Sequence, residues 1–78
     1  MSAMKPTPIL DMEPDRATQL ALLQQEVTIA LNTRWQFQMR HRVNKKLGND
    51  VTQFEKDLEQ IEKYLSALES EIKAVAGE

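Results

Sequence analysis

The stretch Arg34-Trp-Gln-Phe-Gln-Met-Arg-His-Arg-Val-Asn-Lys-Lys46 holds the side chains of this chain best equipped for chemistry. Closely spaced cations neutralise phosphates, and aromatics set between them stack on bases, so the segment alone reads as a nucleic-acid contact. A second use competes for the same residues. The cations can pair with an acidic helix of the same chain while Trp35 and Phe37 serve as apolar packing. Twelve acids against ten Lys and Arg give a net charge of −2, and such a balance favours the packing reading, because acidic flanks repel phosphate. Arg40, Lys45 and Lys46 are the cations expected to stay free, and a nucleic-acid role would rest on them.

Other reactive constellations are absent from the pattern. There is one histidine, His41, and no cysteine, too few soft ligands for an ordinary zinc site. The glutamates follow neither a calcium-loop order nor a carboxylate–histidine repeat. The two glycines, Gly48 and Gly77, are not spaced as in a phosphate-cradling loop, and no nucleophile elbow is present. Arg34, Arg40 and Arg42 could bind a dianion at an oligomer interface, but their spacing matches no such site. No catalytic, cofactor-binding or metal-ligating residue is assigned, and a non-enzymatic role is expected.

The elements that position these side chains are clearer. Val51, Phe54, Leu58, Ile61, Leu65, Leu68, Ile72 and Val75 follow one another at alternating spacings of three and four. That is a heptad seam, the mark of a helix burying a narrow stripe against another helix. Asp50 stands before it with Gln53 three residues on, the pattern of a capping box. Upstream, no Gly or Pro interrupts the chain between Pro14 and Gly48. Pro14 suits a first helical turn, and Gly48 suits the left-handed residue that ends a helix. Lys45 and Lys46 complement the dipole of its last turn.

The expected fold is therefore all-α: an antiparallel, coiled-coil-like two-helix hairpin. A flexible arm covers 1–13, the first helix 14–47, the turn 48–49 and the second helix 50–76. Residues 27–43 also alternate apolar and polar, as a strand does. The alternative is thus a helix–strand–helix chain with 27–43 as an intersubunit strand. A strand of that length without a turn signal would be exceptional, so the helix is preferred.

Charge supports the hairpin. Residues 27–49 carry five cations and no acid, whereas residues 50–78 carry eight acids and three lysines. Acidic residues occupy both shoulders of the seam, which opposes pairing of this helix with its own copy and favours the basic first helix. Folding about Gly48-Asn49 sets Val27 against Leu68, Leu31 against Leu65 and Trp35 against Ile61. It also brings Arg34 to Glu62, Arg42 to Glu55 and Arg40 to Asp57.

The first helix carries more apolar surface than one partner can cover. A chain of 78 residues without disulfides or metal usually needs oligomerisation to complete its core. The expected assembly is a homodimer or higher homo-oligomer, most simply a four-helix bundle. Its role would be structural or adaptor-like, with another protein as a possible partner. Leu22, Ile29, Trp35 and Phe37 are the interface candidates. No apolar run is long enough for a membrane span, and the expected setting is cytoplasmic.

Overall fold

The structure, a computed structural model, describes residues 13–77. The arm expected over 1–13 lies almost wholly outside them. Two helices, α1 (Arg16–Lys46) and α2 (Thr52–Ala76), fold back on each other as an antiparallel hairpin. Residues 27–43 are helical throughout, and no strand occurs among the described residues. The alternative with an intersubunit strand is thereby overturned. β-Branched residues in this stretch satisfy themselves within the helix: the Thr28 and Thr33 hydroxyls donate to the carbonyls of Gln24 and Ile29, a back-bonding that helices accommodate.

The ends of α1 are set by local chemistry. Asp15 is its N-cap; its carboxylate accepts from the Thr18 N–H at 2.8 Å. Pro14 sits just before that cap, so α1 begins two residues later than the position of Pro14 suggests. At the other end Gly48 has φ 76°. The Gly48 N–H donates to the Lys45 carbonyl and the Asn49 N–H to that of Asn44, the paired bonds of a Schellman motif. The Asn49 side chain also donates to that of Asn44 at 3.0 Å, tying the turn to the last helical turn.

The connection is longer than the expected Gly48-Asn49, running from Leu47 to Val51 between the two helices. Asp50 accepts from both the N–H and the hydroxyl of Thr52, while Val51 is the N-cap and supplies no side-chain bond. The capping box does not close, because the Gln53 amide donates forward to Asp57 at 3.0 Å. α2 ends at Gly77, φ 82°. Arg16 reaches this end: a Cβ added at Gly77 would lie 3.9 Å from its Nη2. A cation there offsets the negative end of the α2 dipole.

All eight residues of the α2 seam are buried or half-buried. α1 answers with a seam of the same spacing: Leu20, Leu23, Val27, Ala30, Arg34, Phe37, His41 and Asn44 are all buried or half-buried. Two cross-helix pairs set the register, Arg34–Glu62 and His41–Glu55, each 3.3 Å. In both, the residue numbers add to 96, and Val27 falls level with Leu68 as expected. Among the described residues only Ala30 and Leu68, 2% and 7% exposed, are buried. Two helices alone enclose little interior, and this core is thin for that reason.

Candidate interaction surface

The half of α1 nearest the turn places its polar residues inward. Arg34, His41 and Asn44 occupy seam positions, level with Ile61, Phe54 and Val51 in the register set by the two cross-helix pairs. Arg34 is tolerated because its stem can lie along the apolar seam while its guanidinium donates to Glu62 at 3.3 Å. Asn44 donates to the Arg40 carbonyl at 2.8 Å. With these positions filled by polar groups, the large apolar residues of the same segment point elsewhere. Trp35, Met39, Val43 and Leu47 are 56%, 37%, 49% and 70% exposed.

Leu23, Val27, Leu31, Trp35, Met39, Val43 and Leu47 form one continuous apolar row at four-residue steps. Each step advances about 40° around the helix, since four residues exceed one 3.6-residue turn. The row leaves the seam at Val27, crosses the flank at Leu31 and Trp35, and reaches the outer side at Met39. Where it leaves the seam, an open groove of about 420 Å³ lies between the helices. Val27, Leu31, Leu65 and Ile72 give its apolar walls, and Arg34, Glu62 and Glu69 its charged rim.

The interface candidates are split by this geometry. Leu22, Ile29 and Trp35 are about half exposed on α1. Leu22 and Ile29 share a face seven residues apart, away from Trp35. Phe37 is half-buried at a seam position and does not join them. Trp35, expected opposite Ile61, is exposed because Arg34 takes that level. Val43, Met39 and Leu47 complete the exposed surface; the four-residue spacing that links them to Trp35 is the signal that finds them.

The expected charge pairing holds at Arg34–Glu62 but shifts elsewhere. Glu55 pairs with His41, not Arg42, because His41 occupies the seam and Arg42 lies on the flank beside Trp35. Arg40 and Asp57 form no ion pair; Asp57 accepts instead from Gln53. Arg40, Lys45 and Lys46 are exposed, yet at about 100° per residue Arg40 lies more than 100° around α1 from either lysine. They do not make one phosphate-facing patch.

On the opposite flank the Tyr64 hydroxyl donates to Glu26 at 2.8 Å. That bond, followed by burial and the charge of Glu26, pushes the phenol pKa up. Asp15 and Asp50 are pushed down from the ordinary carboxylate value first by the hydroxyl groups and then by the N–H groups of Thr18 and Thr52. All three serve the helix ends or the cross-helix contact. Among the described residues no cluster of His, Asp or Glu could hold a metal ion, and no helix is long and apolar enough to cross a membrane. No protein-family model, curated protein or solved structure matches the chain at a significant level.

Proposed function

We propose that this hairpin is a non-enzymatic oligomerisation and protein-interaction module whose first partner is a second copy of itself. One observation carries the reading: the apolar row Leu31–Trp35–Met39–Val43–Leu47 stays exposed while polar Arg34, His41 and Asn44 fill the seam. A monomer gains nothing from that arrangement. Moving the row to the seam would enlarge the core of an isolated hairpin, so its outward placement suits a chain that buries it in association. A patch of this kind marks an interaction surface more often than a monomer face. The thin core points the same way, since a domain of this size seldom has stability to spare. Two hairpins would give a four-helix assembly with a shared interior. Assembly would need no disulfide, so a reducing cytoplasm would suit it.

Sedimentation equilibrium between about 1 and 200 µM tests this. The expected species has at least twice the 9.0 kDa chain mass. Trp35→Asp should lower the association constant at least a hundredfold, as loss of a central aromatic anchor does. A folded monomer across the whole range overturns the proposal.

A further inference from the structure

The order of the apolar row says how two copies meet. Counted outward from Trp35, the residues four away, Leu31 and Met39, are both exposed, whereas Val27 and Leu23 farther out belong to the hairpin's own seam. The exposed stretch Leu31–Trp35–Met39 is symmetric in apolar character about Trp35. A two-fold interface needs a surface that matches its own rotated copy, and a row symmetric about one residue supplies that when the two chains run antiparallel. From this geometry we infer that two hairpins associate antiparallel about a two-fold axis at Trp35. Each Met39 then seats beside Leu31 of the other copy, at the mouth of its groove. The inference rests on the proposal that this chain self-associates.

The inclination of the row sets the shape of the contact. Rows at four-residue steps run oblique to the helix axis, and interleaving two of them inclines the axes by about 50°. This differs from the nearly aligned helices of a simple four-helix bundle. The contact is consequently short, centred on Leu31, Trp35 and Met39, and the hairpin ends splay apart. Leu22 and Ile29 lie on another face of α1 and remain open.

Charge agrees with the same register. A two-fold axis at residue 35 sets Arg42 of one copy level with Thr28 of the other, and hence with Leu68 and Glu69 on α2. Arg42 forms no ion pair within its own chain among the described residues. Among the described residues Glu69 is engaged only with Lys73, one turn away, through largely exposed side chains. A parallel dimer would instead bring the cationic stretches 40–46 of both copies together.

Two measurements decide the matter. The chain contains no cysteine, so Lys46→Cys gives one spin-label position. Lys46 lies eleven residues past Trp35, and a 1.5 Å rise with a 50° inclination predicts an inter-label separation of roughly 30 Å. A separation below about 20 Å signifies parallel pairing and overturns the inference, while self-association itself stands. A wild-type chain that sediments as a monomer removes both. The second measurement uses charge reversal. Arg42→Glu alone and Glu69→Arg alone should each dimerise several-fold more weakly than wild type. An equimolar mixture should recover wild-type affinity, because the mixed dimer contains two complementary pairs. A mixture no stronger than the separate variants overturns the proposed register.

Discussion

Gly48 shows how much of this hairpin depends on single residues. Its φ of 76° is left-handed, and a Cβ added there would meet nothing within 4 Å. The cost of substitution is therefore backbone strain alone, about 1–2 kcal/mol for Gly48→Ala, with Gly48→Asn closer to neutral. Urea melts of the two variants check this, and equal losses would mean the turn is not held in that conformation. Asp15 and Asp50 make a second case. Hydrogen bonds from Thr18 and Thr52 hold both carboxylates below the ordinary value of 3.8. A depressed folded-state pKa contributes stability above the unfolded value and loses it as pH falls through the folded value. Melting temperature should therefore drop on acidification below about pH 4. The double change Asp15→Asn, Asp50→Asn, which keeps capping oxygens but removes the titration, should flatten that drop. Tyr64 has the opposite sign. Its raised pKa contributes stability below 10.0 that is lost at more alkaline pH, and Tyr64→Phe should abolish that alkaline component. The glycine turn was plain in the sequence. The Asp15 cap and the failed box at Asp50–Gln53 were not, because several neighbouring acids could cap equally well and only the local backbone chooses.

At the scale of the helix the two seams were unequally legible. α2 displays its stripe because all eight positions are apolar. The seam of α1 has the same spacing but carries Arg34, His41 and Asn44, so apolar periodicity alone loses it after Ala30. The eye is then drawn to Trp35, Met39 and Val43, which have the greater hydrophobicity and the wrong phase. Phe37 is hard to place for the same reason: it belongs to a seam whose neighbours are polar. The element-scale prediction lies where both seams are apolar. Leu68, 7% exposed, should cost about 2–5 kcal/mol on change to Ala. Ala30, 2% exposed, has no room for growth, so Ala30→Leu should cost about 1–3 kcal/mol through overpacking. Thermal melts at one fixed protein concentration measure both. A neutral Ala30→Leu would show that the helices can separate to admit the larger side chain.

For the molecule as a whole, architecture was readable and function only indirectly so, since the informative surface depends on which apolar residues the hairpin fails to bury. That failure itself gives a prediction. If the exposed row is covered by a second copy, folding and association are linked, and melting temperature must rise with protein concentration. Trp35 reports on the same event. It is the only tryptophan, and 56% of it is exposed in the hairpin. Its emission should therefore move to shorter wavelength as concentration rises from about 1 to 200 µM, following the same curve as the mass measured by sedimentation. Salt separates the contributions. The apolar contact at Leu31, Trp35 and Met39 is indifferent to screening, whereas Arg42 and Glu69 at its edge are screened within about 10 Å at 0.1 M salt. Raising salt should thus weaken the dimer only a few-fold, and Arg42→Glu should reverse the direction of that dependence. A tryptophan spectrum and a melting temperature that both ignore concentration would place Trp35 in water at every concentration. The apolar row would then need a partner other than its own copy.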